Sequence, residues 1–395
     1  MKQSALYAVL LFCGFRAFVA HAQEAPPYRE ALLSLHQALV EIPSVTNSEA
    51  EVGDFLMEYL AEQGLVTERQ HIPSSNDTVP RFNVIAWPED RPAGWSRVVV
   101  TSHIDTVPPH FGYSRSGPDP PTAETVIAGR GTVDAKGSVA AQIIALTELL
   151  SEGLITGDDV MLAFVVGEEA GGAGMQHFSN IMAEQPHRPR AAIFGEPTEG
   201  NLACGHKGIL GCYVSATGRA GHSGYPESGK SANEVLMRAL VKALDADLGS
   251  SERYGNTTIN VGELQGGIAL NVIPAAATAG LLIRVAIGPE ATGYQIVRER
   301  LESIFSSVDD EAFEFECPHG YGAIFLECDV EGFETATMNY GTDIPFFRGN
   351  HTSYLYGPGS ILVAHTPDEA ITVGDLELAV EGFKRLILHA VGNSS

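Results

Sequence analysis

The chain has 395 residues, a hydrophobic share of 44% and a formal net charge of −25 at pH 7. That length and composition fit an ordinary globular protein with room for two domains. The strong negative charge argues against nucleic acid and anionic membrane surfaces as partners.

At the N-terminus Lys2 opens a short basic region, Ala5 to Ala20 is mostly apolar, and Ala20-His21-Ala22 gives an A-x-A cleavage pattern before Gln23. This predicts a secretory signal peptide over residues 1–22, too short and wrongly flanked for a membrane anchor. Its removal leaves 22 basic and 49 acidic residues, a net charge of −27, and a secreted, soluble chain. Residues 28–64 read as helical, with Leu32, Leu35, Leu39, Phe55, Leu56, Tyr59 and Leu60 as the apolar face. The Pro/Gly/Ser-rich stretches 73–80 and 108–121 read as loops. From about 97 to 203 strands alternate with helices, the pattern of a mostly parallel sheet.

Metal-capable side chains stand where apolar runs of that sheet end. His103 and Asp105 follow the run from Arg97 to Ser102, and Glu168 and Glu169 follow the run from Val160 to Gly167. Glu196 follows Ala191 to Gly195, and His365 follows Ile361 to Ala364. Such runs read as buried parallel strands. Open α/β sheets bind ligands in the crevice beyond the carboxyl ends of their strands. Two imidazoles and several carboxylates would therefore converge, which suggests a metal site with two ions. Asp134, in a glycine-rich stretch ahead of an amphipathic helix, either joins them or caps that helix. Asp105 stands two residues from His103, and could take the ring N–H that a ligating histidine leaves free. Adjacent acids such as Glu168 and Glu169 repel each other unless a cation or a shared proton compensates, so one could bind metal and the other act as general base.

Near residue 208 the pattern changes. A strand from Gly211 to Ala216 leads to a helix around 231–246, then come strands at 257–262 and 277–287, a helix near 293–306 and a strand at 312–316. This β-α-β-β-α-β order is that of a ferredoxin-like sandwich. After about 320 the chain returns to the α/β type. The expected architecture is a larger domain of 23–207 and 320–395 with an insertion at 208–319. Cys204, Cys212, Cys317 and Cys328 remain after the leader, and short loops favour the pairs Cys204–Cys212 and Cys317–Cys328 over free thiols. Sequons occur at Asn76, Asn256, Asn350 and Asn393; their glycosylation would need a eukaryotic secretory pathway.

The motifs together resemble the M20 family of zinc metallopeptidases, which includes glutamate carboxypeptidase, aminoacylase, acetylornithine deacetylase and succinyl-diaminopimelate desuccinylase. The matching stretches are Ser102-His103-Ile104-Asp105-Thr106-Val107-Pro108, Gly131-Thr132-Val133-Asp134-Ala135-Lys136-Gly137, Gly167-Glu168-Glu169 and Gly195-Glu196-Pro197-Thr198. They continue with Gly221-His222-Ser223, Asn271-Val272-Ile273-Pro274, Tyr340-Gly341-Thr342-Asp343, and Gly357-Pro358-Gly359-Ser360 leading to Ala364-His365-Thr366-Pro367-Asp368-Glu369. The resemblance implies a mostly parallel α/β catalytic domain with an inserted ferredoxin-like lid that also dimerises. It implies two zinc ions per subunit, with Asp134 shared, His103 and Glu196 on one ion, and Glu169 and His365 on the other. Cobalt or manganese would also suit such donors. Glu168 would be the general base and Asp105 would orient His103. His222 would reach the substrate carbonyl, often from the partner of a homodimer, while Arg284, Asn271 and Gly359 would bind substrate. A cis peptide is expected at Asp134–Ala135. Ala135 departs from the methionine commonest in the family, which alters packing under the metal and removes no ligand.

The implied function is a secreted carboxypeptidase acting on peptides. A deacylase acting on N-acyl amino acids would use the same site, and a noncatalytic binding protein on this fold would have no need of Glu168. No H-E-x-x-H occurs, and Gly221-His222-Ser223-Gly224-Tyr225 lacks the last glycine of a nucleophile elbow. Among the other histidines, His206 at the junction of the two parts is the one to watch.

Overall fold

The structure, a computed structural model, describes residues 25–73, 80–88 and 96–392. The expected signal peptide and the sequons at Asn76 and Asn393 lie outside the described residues, as does most of the 73–80 loop. Asn256 and Asn350 are exposed.

The strands Val98–His103, Val160–Val165 and Ala191–Gly195 are buried at every position. Such continuous burial requires cover on both faces of a sheet. They form a six-stranded sheet ordered Leu65–His71, Phe82–Pro88, Val160–Val165, Val98–His103, Ala191–Gly195, Thr352–Tyr356. The last four run parallel, and Phe82–Pro88 is antiparallel to both of its neighbours. One face is covered by the helices Arg29–Glu41, Lys136–Ser151 and Val373–Gly392. The other is covered by the helix Ala173–Glu184 and a small sheet containing Leu202–His206. Gly195 is required where the central helix approaches the sheet: a Cβ there would lie 2.4 Å from Gln142 Nε2 and 2.7 Å from Ser138 Cβ. Gln142 instead donates to the Thr101 carbonyl at 2.9 Å.

The helical reading of 28–64 needs correction. Two helices, Arg29–Glu41 and Ala50–Glu62, are separated by Ile42 in an extended conformation. Pro43 lacks an N–H and forces its predecessor out of the helical region. Within the expected loop 108–121 a short strand forms at Ser114–Ser116.

The inserted part is a second four-stranded antiparallel sheet ordered Thr258–Gly266, Ala276–Val285, Gly208–Thr217, Phe313–Tyr321. Three of the four strands are longer than the sequence pattern suggests, and Ala276–Val285 ends two residues earlier. The chain order of these strands is 2-3-1-4, and the helices Ala232–Leu244 and Gly293–Ser306 share one core with the sheet. Burial alternates along Gly208–Thr217 and Ala276–Val285, as expected for a sheet with one covered face. Leu210, Cys212, Val214, Leu281 and Ile283 point into that core.

The disulfides join Cys204 to Cys328 and Cys212 to Cys317, not the pairs that short loops favour. Cys212 and Cys317 lie on neighbouring antiparallel strands with Cα atoms 4.1 Å apart. Cys204 lies on Leu202–His206, whose partner strand Ile324–Phe325 leads straight to Cys328. Strand pairing thus brings the right cysteines together across long loops. Among the described residues no helix is long and apolar enough to cross a membrane.

Candidate metal centre

Four parallel strands end at one crevice, and each delivers its residues there. His103 is the last residue of its strand, and Glu196 follows the last residue of another. Glu168 and Glu169 form a short 3-10 turn entered through Gly167, whose φ is +78°. A Cβ at Gly167 would also lie 2.6 Å from the Arg81 guanidinium, so glycine meets both demands. Asp134 precedes the central helix, and its peptide bond to Ala135 is cis, as expected. His365 lies in a turn after the last parallel strand with φ +62°.

Two donor groups result, and they share one residue. His103, Asp134 and Glu196 can each offer an atom within 4.8 Å of the others, and so can Asp134, Glu169 and His365. His103 Nε2 stands 2.9 Å from Asp134 Oδ1 and 3.9 Å from Glu196 Oε1. His365 Nε2 stands 3.3 Å from Asp134 Oδ2 and 3.0 Å from Glu169 Oε2. The two oxygens of Asp134 thus face different imidazoles. His103 Nδ1 lies 2.9 Å from the main-chain oxygen of Asp105. A carbonyl only accepts, so Nδ1 carries a proton, and Nε2 is the nitrogen turned toward the crevice where an ion would bind.

The expected role of Asp105 is thereby modified. Its carboxylate stands 3.6 Å from His103 Nδ1. It accepts instead from the main-chain N–H groups of Gly167 at 2.8 Å, Glu168 at 3.1 Å and Glu169 at 3.3 Å, and from the Thr46 hydroxyl at 2.8 Å. The Asp105 main chain orients the imidazole, and its side chain orients the turn bearing the paired glutamates.

The electrostatics of the crevice call for cations. Burial and the neighbouring Glu196 charge push Glu168 well above the usual carboxylate range; burial, then Asp134, do the same to Glu196. Burial takes Asp343 up to about 7, and its Oδ1 has no hydrogen-bond partner among the described residues. Burial opposes a charge on His103, but contacts with Asp105 and Asp134 outweigh it and hold the imidazole well above its ordinary value. Hydrogen bonds to Asp134 and Glu169 take His365 up to about 10. Carboxylates this close cannot all stay charged without compensation. Two imidazoles and three carboxylates with one shared between two groups suit a pair of divalent ions.

The cavity beside these groups measures about 580 Å³ and its lining includes Asp134, Glu168, Glu169, Glu196 and His365. Its far wall is the uncovered face of the inserted sheet. Ile209, Gly211, Leu282 and Arg284 alternate with core positions on two adjacent strands and line the cavity. Arg284 is half-buried, and its guanidinium makes no ion pair or hydrogen bond among the described residues. Tyr321, Tyr340, Thr342 and Phe346 complete the wall. Tyr340 and Thr342 belong to a stretch already matched in the sequence; Tyr321, at a strand end, and Phe346, in a short 3-10 turn, gave no signal there. His206 is not a ligand: it is buried, with Nδ1 2.8 Å from the Lys207 carbonyl and Nε2 3.1 Å from the Thr342 hydroxyl.

Three expected residues are not part of this lining. Gly359, with φ +76°, packs against Val133 and Ile371, while its carbonyl accepts from Glu199 N at 2.8 Å. His222 and Asn271 are exposed together on a small ribbon in which His222 pairs with Val272 and Ser223 N donates to the Asn271 carbonyl at 3.1 Å.

A model of peptidase family M20/M25/M40 matches residues 99–389. A Peptidase M20 domain-containing protein of Sordaria macrospora is 52% identical over 94% of this chain and 88% of its own length. A protein of Paracoccidioides brasiliensis named "Probable carboxypeptidase" is 44% identical over 91% of this chain and 85% of its own. Among solved structures, a tripeptidase from Staphylococcus aureus superposes with a TM-score of 0.74 at 20% identity, covering 92% of this chain and 99% of that one.

Proposed function

The chain belongs to peptidase family M20/M25/M40, and on that premise we propose that it is an exported, zinc-dependent carboxypeptidase that hydrolyses the C-terminal amide bond of peptides. The observation that carries the reading is Arg284, an unpaired guanidinium on the wall facing the acidic donor groups. A guanidinium binds a carboxylate bidentately, and a peptide's C-terminus presents one beside its last amide. The relatives named as carboxypeptidases support the same choice.

His103, Asp134 and Glu196 would hold one ion, and Asp134, Glu169 and His365 the other. Bound there, such ions supply Lewis acidity, which polarises an amide carbonyl and lowers the pKa of water toward about 7. The chain does the rest. Arg284 docks the carboxylate, and Tyr321, Leu282, Phe346 and Ile361 exclude water around the last side chain. Glu168 takes a proton from the attacking water and returns it to the leaving amine. Burial and the neighbouring Glu196 charge raise its pKa, which makes it a stronger base for the first step.

Replacing Arg284 with methionine should lower kcat/KM on peptides with a free C-terminus by about 10–100-fold, the size of a lost hydrogen bond to a charged group. C-terminally amidated peptides should be poor substrates of both proteins. Equal rates on free and amidated peptides would remove the carboxypeptidase reading. An N-acyl-amino-acid panel run alongside tests the deacylase alternative, which uses the same carboxylate anchor.

The reading includes a homodimer. Met237, Val241 and Leu244 are exposed on one helix, Leu264 on an edge strand, and Ile268 and Leu270 are 89% and 105% exposed. Apolar side chains so grouped mark a protein interface. His222 and Asn271 lie on the adjoining ribbon, and from a second copy they would reach a crevice that lacks them. The leader pattern and the two disulfides support export. Sedimentation of the chain recovered from culture medium tests both points; a monomer there would contradict the pairing, and retention in the cell would contradict the export.

A further inference from the structure

Glu369 is fully buried and belongs to neither donor group. Its Oε1 accepts from three main-chain N–H groups of the loop that carries Asp134: Gly131 at 2.9 Å, Val133 at 3.1 Å and Asp134 itself at 3.2 Å. Its Oε2 accepts from Arg130 Nη1 at 2.6 Å, and Arg130 is also buried. Its main-chain oxygen accepts from Gly129 N at 3.2 Å, and the next residues, Ala370–Thr372, pair antiparallel with Val126–Ala128. Four residues earlier stands His365. The turn between them is closed by Thr366 Oγ1, which donates to the Val363 carbonyl at 2.7 Å and accepts from Asp368 N at 3.2 Å.

These contacts join two stretches of chain that supply ligands from far apart in sequence. Asp134 and His365 face one another at 3.3 Å, yet 231 positions of sequence separate them. A glycine-rich loop such as 129–134 has many conformations open to it, and converging N–H groups of that kind form a nest for an anion. Glu369 supplies the anion from the same turn as His365, so one side chain fixes the Asp134 loop and the His365 turn in a common frame. No apolar residue could do this, since it would leave three inward N–H groups without an acceptor.

We propose that Glu369, locked by Arg130, is the positioning residue that sets Asp134 against His365 and so gives both ions a preformed site. The inference rests on the metal-centre reading above. Zinc affinity is its readout, measured by competition with a chromophoric chelator, beside the melting temperature of the metal-free protein. Glu369→Ala should weaken zinc binding by about 10–100-fold, the usual effect of removing a group that orients ligands. Glu369→Asp keeps the charge and draws the oxygen back by one methylene; it should stay folded and weaken zinc by about tenfold, and it carries the test should the alanine variant not fold. A merely structural role would lower the metal-free melting temperature and leave the zinc affinity of the folded protein unchanged, and that result overturns the proposal. If the wild type binds two ions and both variants bind them as tightly, the proposal fails and the functional reading stands. A wild type that binds none overturns both.

Discussion

Replacing Glu168 with glutamine should leave both ions in place and lower kcat by about 10³-fold, within the range a general base contributes. The glutamate is outside both donor groups but lines the same cavity. Its backbone N–H is held by Asp105 at 3.1 Å, so glutamine should occupy the same position. What it cannot do is accept a proton. The pH profile sharpens the test. Burial and the Glu196 charge raise the pKa of Glu168 in the metal-free protein, so the wild-type profile should carry an acid limb where the base becomes protonated. Bound cations pull the limb back toward acid. In the variant the limb assigned to Glu168 should disappear. A glutamine variant with two ions and near wild-type turnover would remove Glu168 from the chemistry.

Asp134→Ala should be worse still, because it removes a donor from both groups at once. Its Oδ1 faces His103 and its Oδ2 faces His365, at 2.9 and 3.3 Å. Elemental analysis should find close to no metal in the purified variant, and activity should drop to background. His365→Ala is the control: it disturbs one group only, and should retain the ion held by His103, Asp134 and Glu196. If Asp134→Ala and His365→Ala lose metal to the same extent, the shared position of Asp134 is wrong. Far-UV circular dichroism separates metal loss from unfolding, since the aspartate leaves the hydrophobic core untouched.

The residues at the strand ends were legible in the sequence for a physical reason. An apolar run buried on both faces can hold a hydroxyl that bonds a carbonyl, but a charged group fits only where the run stops, so His103, Glu168, Glu169 and Glu196 stand out against the strands before them. Asp134 was ambiguous locally, since a cap and a ligand look alike ahead of a helix, and the family motif resolved it. The inserted sheet was legible as an order of elements. Its strand lengths were not, because alternation continues past the last strongly apolar residue. The disulfide pairs were misjudged because loop length says nothing of which strands become neighbours. Arg284 could be named from the family resemblance, but the surrounding wall of Ile209, Leu282 and Tyr321 depends on the phase of three strands relative to the crevice. Glu369 gave no signal beyond its place in a motif, since its partners are backbone groups 235 to 238 residues away.

The alternation along Ala276–Val285 has an evolutionary consequence. Leu281, Ile283 and Val285 pack in the core of the inserted part, while Leu282 and Arg284 line the cavity. Neighbouring codons are therefore expected to answer to different selective pressures. A change at 282 or 284 can redirect which molecules are accepted while the packing beneath stays intact, and a change at 283 risks the packing with no gain in choice. A register slip of one residue would exchange the two sets, so the strand's pairing keeps the two roles apart. Lineages that share this scaffold can diversify along one face of a single strand.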